Sequence, residues 1–589
     1  MYIVEHPLYG LRAGLDKYYS IFPDAFDAHQ VRDQGLWLPF ISNITAIENV
    51  SDFGFRYQEG GGDPTDCKIL NQNNILIFPY IEPHLVHWPL PPHTPLDDAH
   101  VEASIADCVN NPDKYPPQQK RDCVAVQRYA ARDLSGKYLW VPEVAPWNVG
   151  VMFSLDINSA FVSDPDSRCS DELDVVAGEL MNAKAGNYEL GGIYIDSTDG
   201  SELLLNYNPI SLAHSRSPLL VDNQGAPVTL LAQGTLSFLQ YLRDELSAQG
   251  SGLELMGNTL YVLPHLQFSA VFSVAGIETN WHPSETMEIS KVDALHTLYG
   301  GKSNVSQRIL KPAWPGMLKA PDHYDFPTSL PWLTPPPRPD MFFQRALAAQ
   351  RPYIFLQNTD FNLWSYDMTD QYFQICLSLG IWPSFFSHNG ADHQYFANAT
   401  LYNRDRALFR KYIPILREIN YMGWQPLTFA SVSPSSSPST NQYLSEEDIN
   451  AGESSFYIER FGPLSENSSK VIHDLLEGND LVQGDQVSGQ ARRVYLGAYE
   501  RDEIVVCFSL RNEGRADVLK TMTLNITCGE FGIRSGRVIV EELTTVSPAI
   551  SVPVIDGLAL VEFSSSGVFI PPPGPNITYV VRLKGNSSL

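Results

Sequence analysis

The chain has 589 residues, 43% of them hydrophobic and only 18% charged, with 40 Gly and 43 Pro. That balance buries a large core and excludes global disorder, and the length allows roughly four units of ~150 residues, fewer if one is a barrel. Acids outnumber bases by 67 to 40, a formal charge of −27. Such a surface repels phosphate backbones and anionic lipid heads, so nucleic acid and membrane surfaces are poor partners, and no apolar run approaches the ~18 residues of a membrane span.

The first ten residues, MYIVEHPLYG, show no basic stretch leading into an apolar one, so no signal peptide is expected, and a start inside a larger product would explain the missing leader. Eight N-x-S/T sequons, at Asn43, Asn49, Asn304, Asn398, Asn467, Asn525, Asn576 and Asn586, tip the expectation towards a secreted or extracytoplasmic protein. Seven cysteines leave at least one unpaired; Cys108/Cys123 and Cys507/Cys528 could each close a short loop in an oxidising compartment.

Short apolar runs predict buried strands at residues 35–40, 53–58, 75–81, 192–195, 253–257, 272–276, 353–357 and 381–386. Most are continuous rather than alternating, as in a parallel sheet covered on both faces. Helices are expected between them at 236–246, 286–299, 341–350, 368–379 and 404–419; the first places Leu236, Leu239, Leu242 and Leu246 on one stripe. Eight strands interleaved with helices predict a (β/α)8 TIM barrel, with a doubly wound open sheet as the alternative.

Two insertions are expected in a barrel spanning 1–430. Residues 89–150, rich in Pro and Asp, read as loops with a short helix near 118–132, and residues 206–232 as a hairpin turning at Asn223-Gln224-Gly225. Ser/Pro-rich residues 431–440 open a linker over 431–490. Beyond it the pattern changes to period two, at 493–499, 503–510, 521–527, 538–543, 558–563 and 578–583, predicting a small all-β sandwich over 491–589.

No nucleophile elbow, HExxH, Walker loop, dinucleotide fingerprint or zinc-binding spacing is present, so no cofactor and no metal are expected. The positive signal is positional, because a barrel presents its chemistry at the carboxyl ends of its strands. Reading past the predicted strands gives Glu59, Glu82, Asp196 with Asp199, Glu278 and Asp360. Asp196 closes the run GGIYID, and Glu278 follows Gly276, whose missing side chain allows close approach, with Trp281 and His282 next; Glu82 stands beside His84, His87 and Trp88. Two carboxylates flanking a glycosidic bond suffice to hydrolyse it, and Trp37, Trp88, Trp281, Trp364 and Trp382 could offer flat faces to sugar C–H groups.

An Asp ending a GIYIDS-type strand, an acid two strands later and a C-terminal β domain resemble the Asp-nucleophile glycoside hydrolases of the α-galactosidase and endo-α-N-acetylgalactosaminidase groups. The resemblance covers residues 30–589 in architecture, but in motif only 192–196 and, less closely, 276–278. It implies Asp196 as nucleophile and Glu278 as acid/base, although the acid is an Asp in α-galactosidases. In the endo-acting enzymes it follows the next strand, which here ends at Met256-Gly257-Asn258 without an acid.

The expectation is therefore a two-carboxylate, retaining glycosidase acting on carbohydrate. Glu59, Glu82, His84, Trp88, Asp199, Arg216, Asn258, Trp281 and Asp360 are the expected substrate-binding residues. The alternatives are a metal-assisted hydrolase with Glu82, His84 and Asp196 as ligands, and a glycan-binding protein that kept the barrel without the chemistry.

Overall fold

The computed structural model describes residues 11–22, 34–39, 44, 47–91, 93–143, 149–198, 205–248, 252–258, 268, 271–279, 339–358, 361–386, 395–434, 455–462, 503–513, 521–531, 533–545, 547–564 and 578–586. The expected helix at 286–299 and strand at 493–499 lie outside them.

The N-terminal two thirds is mixed α/β. Its first parallel sheet pairs β1 (Leu36–Leu38), β2 (Phe55–Glu59) and β3 (Leu76–Phe78). Pro79 interrupts the last of these, and the chain continues as β4 (Tyr80–Ile81). Next comes an inserted antiparallel sheet of β5 (Leu85–Pro89), β6 (Trp140–Glu143) and β7 (Gly150–Ser154). The main strands resume at β8 (Gly192–Ile195), followed by β9 (Leu205–Asn206) and the hairpin of β10 (Leu220–Val221) and β11 (Pro227–Leu230). Then come β12 (Glu254–Asn258), β13 (Val274–Thr279), β14 (Tyr353–Asn358) and β15 (Trp382–Phe386).

The second parallel sheet has six strands in the order β15-β14-β13-β12-β8-β4. Because β3 runs into β4, the two ladders follow one another in chain order, and the Ser384 hydroxyl on β15 donates to the Trp37 carbonyl on β1 at 2.6 Å. Among the described residues no backbone ladder joins β15 to β1, so the expected closed ring is not shown; what is shown is two parallel ladders with helices between their strands.

The helices end where the sequence carries caps. Ser365 accepts from the Met368 amide ahead of the helix Tyr366–Leu379, and Gly380 ends it in the left-handed region. A side chain at Gly380 would also sit 2.5 Å from the ring of Phe461. Outward-facing Ile193 and Ile195 pack with Phe238, Leu239 and Leu242 of the helix Leu231–Ala248, while inward-facing Tyr194 joins the cluster that holds Trp37.

The described residues of 89–150 carry more helix than their composition suggests. They fold as helices Asp98–Asn110 and Pro117–Tyr129 joined by a Cys108–Cys123 disulfide. The Pro and Asp residues that read as loop stand at helix starts, Asp97 as a cap and Pro117 as a first residue. Cys507 and Cys528 are both free and buried. The hairpin at 220–230 turns as expected, its Asp222 carboxylate accepting from the amides of Gln224 and Ala226.

The C-terminal strands are β16 (Trp424–Gln425), β17 (Ala430–Pro434), β18 (Ser455–Phe461), β19 (Glu503–Glu513), β20 (Thr521–Thr527), β21 (Gly536–Glu542), β22 (Ile550–Ile555), β23 (Leu558–Ser564) and β24 (Thr578–Asn586). They form one antiparallel sheet in the order β16-β18-β19-β24-β21-β22-β23-β20-β17. This C-terminal β domain begins earlier than the period-two pattern suggests. Residues 431–434 read as Ser/Pro linker but belong to an edge strand, where Pro434 removes no ladder bond that a central strand would need. The outer face of β19 and β24 docks on the helix Tyr366–Leu379: Ser509 meets the Ser378 carbonyl, and Thr578 donates from its hydroxyl to the Gln374 carbonyl at 2.7 Å and from its amide to the Gln374 side-chain oxygen at 2.8 Å.

Candidate active site

Strand alternation builds the site. Tyr80 on β4 and Tyr194 on β8 point to the same inner face as Asp196, while Ile81 and Ile195 between them go to the helical side. The Asp196 amide donates to the Ile81 carbonyl at 3.0 Å, so the ladder fixes the height of the acid. Its carboxylate accepts four hydrogen bonds. Tyr194 and Asn258 donate to Oδ1 at 2.9 and 3.0 Å; Tyr80 and Ser197 donate to Oδ2 at 2.9 and 3.0 Å. Donors therefore come from β4, β8 and β12, and the carboxylate is only partly buried.

Below Asp196 the inner face is filled by aromatic side chains. The ring of Trp37 lies 5.1 Å from that of Tyr194, and a Cβ at Gly276 would sit 3.1 Å from the same indole. The close approach expected at Gly276 is thus made by Trp37. Burial, followed by the charges of Asp196, Glu82 and Glu59, pushes the Tyr80 hydroxyl far above the ordinary tyrosine range. Three carboxylates from neighbouring strand ends therefore converge on Tyr80, which stays a donor.

Beside Asp196 a second polar cluster stands on the inserted sheet. His87 on β5 places Nε2 at 2.7 Å from Glu82 and Nδ1 at 2.7 Å from Glu143 on β6. Burial opposes the charge on His87, but hydrogen bonds with Glu143 and Glu82 outweigh it and raise the imidazolium to about 10. Burial likewise opposes ionisation of Glu82, and the hydrogen bond and charge of His87 hold it below the ordinary carboxylate range. Ser197, left-handed at φ 53°, touches both acids. Its carbonyl is held by Nε2 of His84, a ring that burial keeps neutral.

The expected residues separate accordingly. Glu59 and Glu82 lie at the strand ends near Tyr80, and Asn258 touches Asp196 directly. His84 and Trp88, expected at the rim, are 0% and 1% exposed: His84 braces Ser197, and Trp88 is core, its indole N–H donating to Ser104 at 2.9 Å. Trp37, Trp364 and Trp382 are buried too, so none of these offers a sugar platform. Arg216 is exposed on the inserted hairpin. Glu278 occupies β13 opposite Leu356, two residues beyond Gly276. Its side chain lies outside the described residues, as do Asp199, Trp281 and Asp360. Among the described residues no group of three or more His, Cys, Asp or Glu could hold a metal ion, and no helix is long and apolar enough to cross a membrane.

Tyr80, Tyr194, Ser197 and Glu143 escaped the sequence reading. The tyrosines had a signal: Tyr194 stands two residues before Asp196, and Tyr80 two before Glu82, the period that puts a strand residue on its acid's face.

No family model matches the chain, and no curated protein matches it. Solved structures similar to it include the glycoside hydrolase domain of PelA from Pseudomonas aeruginosa, at 13% identity over 61% of this chain and 95% of that one, TM-score 0.28. Another is the noncanonic maltogenic alpha-amylase AmyB from Thermotoga neapolitana, at 8% identity over 94% and 99%, TM-score 0.37. A third is Aspergillus fumigatus Ega3 in complex with galactosamine, at 11% identity over 62% and 94%, TM-score 0.28. These neighbours are glycoside hydrolases or carbohydrate-bound proteins, and TM-scores this low carry no argument about the chemistry of this chain.

Proposed function

We propose that the chain is a glycosidase that cleaves O-glycosidic bonds by a retaining, two-carboxylate mechanism, on parallel strands that close into a (β/α)8 barrel. The observation that carries the reading is the Asp196 carboxylate at a strand's carboxyl end, aimed by donors on three strands and by Ser197 beside it, and only partly buried. Closure of the ring is supported by Trp37, which reaches from β1 to Tyr194 on β8 and to Gly276 on β13. Asp196 attacks the anomeric carbon as the bond to the leaving oxygen breaks, and Glu278 gives that oxygen a proton. Glu278 then takes a proton from the water that displaces Asp196 and restores the free carboxylate.

Glu278 is assigned by position. It shares a strand face with Gly276, two strands along the sheet from Asp196, where a carboxyl group could face the same sugar. Glu82 borders the site as an acceptor for hydroxyl groups, while Glu59 and Asn258, buried at 3% and 2% exposure, support Asp196 and Tyr80 from behind. The Cys108–Cys123 disulfide supports an oxidising, extracytoplasmic location.

A panel of α- and β-linked aryl glycosides, assayed with wild type and with Asp196→Asn and Glu278→Gln, tests the reading. At least one substrate should turn over, Asp196→Asn should lose ~1,000-fold or more in kcat, and a chelator should change nothing. Turnover by Asp196→Asn within about tenfold of wild type would remove Asp196 as nucleophile; glycan binding without turnover by any form would indicate a lectin.

A further inference from the structure

The inserted sheet of β5, β6 and β7 meets the end of β4 at a polar contact, the His87 clamp. Its geometry fixes the charge of the ring. Neutral imidazole carries a single N–H, so one of its nitrogens would turn a lone pair on a carboxylate. Here both nitrogens lie 2.7 Å from carboxylate oxygens, Glu82 on one side and Glu143 on the other, and only the doubly protonated ring donates to both. The strands impose this arrangement: β7 pairs with both β5 and β6, putting Met152 between His87 and Val141 and bringing Glu143 alongside.

Glu82 stands on the inner face with Tyr80, level with Asp196 across the β4–β8 ladder. Without a cation at this point two carboxylates on adjacent strand ends repel each other, and one of them takes a proton. The other charged groups around the clamp do not replace His87. Asp122, on the helix Pro117–Tyr129, adds negative charge that His87 partly offsets. Arg168 reaches only the Glu82 carbonyl, at 3.5 Å, and spends its own charge on Glu172 at 2.6 Å and Asp122 at 3.7 Å. His84 is fully buried, and burial disfavours its charged form.

We propose that His87 is a positioning residue of the site: as an imidazolium clamped between Glu82 and Glu143 it holds the Glu82 carboxylate as a fixed anion beside Asp196, so that the inserted sheet belongs to the site rather than to its surroundings. The part of this that concerns turnover rests on the glycosidase reading; the charge of the ring does not.

The experiment uses full-length protein with 15N-labelled histidine, as wild type, His87→Gln and Glu143→Gln. The ring signals that vanish in His87→Gln should remain those of a doubly protonated imidazole from about pH 5 to about pH 9 in wild type. In Glu143→Gln the same signals should titrate at lower pH. Ring signals that titrate near pH 6.5 in wild type would overturn the proposal. On the best aryl glycoside, His87→Gln should move the acid limb of the kcat/KM profile up by about one unit and cost about tenfold at low pH, a change in profile that a loss of stability alone would not produce. An unmoved limb would also overturn it. If wild type turns over no glycoside, the glycosidase reading fails by itself and the histidine titration decides the clamp.

Discussion

The two ends of the parallel strands use buried charge in opposite ways. At the carboxyl ends Asp196, Glu59 and Glu82 gather around Tyr80, tied largely to side-chain donors. At the amino ends of β13, β14 and β15 the buried charges are cations. Arg345 donates to the carbonyls of Gly380 at 3.2 Å and Arg351 at 3.0 Å and also to that of Ala349, while Arg351 donates to Phe272 at 2.7 Å. Burial lowers both guanidiniums to about 10. These carbonyls lead into β13, β14 and β15, so the arginines brace strand starts against the main chain and are sealed from solvent. A charge tied to main chain and sealed holds a fold; a charge aimed by hydroxyls and left open can react.

The sharpest break in that contrast is Asp196→Asn, which should cost ~1,000-fold or more in kcat yet leave the denaturant midpoint nearly in place, measured on the same preparation. Arg345→Met should do the reverse. Leaving several buried carbonyls without a donor should cost about 3 kcal/mol in urea unfolding, with kcat of the folded fraction unchanged.

A buried acid away from both ends sharpens the comparison. Burial raises Asp156 to about 6, against hydrogen bonds from Ser211 and the Asn158 amide. An acid whose folded pKa lies above its unfolded value of about 3.9 adds stability at low pH that is lost as pH rises through about 6. Asp156→Asn should therefore flatten the stability profile between about pH 4 and 7 by about 2 kcal/mol in parallel urea titrations. The smallest effect belongs to Tyr80→Phe, which removes one of four donors to Asp196 and should lower kcat about tenfold with KM little changed.

The contrast also explains what the sequence discloses. Strands β8, β14 and β15 are legible because both their faces are apolar, and Asp196 is legible because it ends such a run. The roles of His84 and Trp88 are not, since a polar or aromatic residue after a strand looks the same whether it faces solvent or braces a turn; only Ser197 at φ 53° shows why His84 is buried there. The His87–Glu143 pair spans 56 residues of inserted chain, and no local periodicity announces so distant a partner. The Pro and Asp residues of that insertion, which look like loop, start its helices instead.

Covalent capture addresses the reacting carboxylate most directly. Once the panel has identified the preferred sugar, wild-type protein is incubated with its activated 2-deoxy-2-fluoro glycoside, digested and mapped by mass spectrometry. The sugar should be found on the peptide containing Asp196 and on no other acid; a label on a different carboxylate, or steady turnover with no labelled peptide, would contradict the assignment.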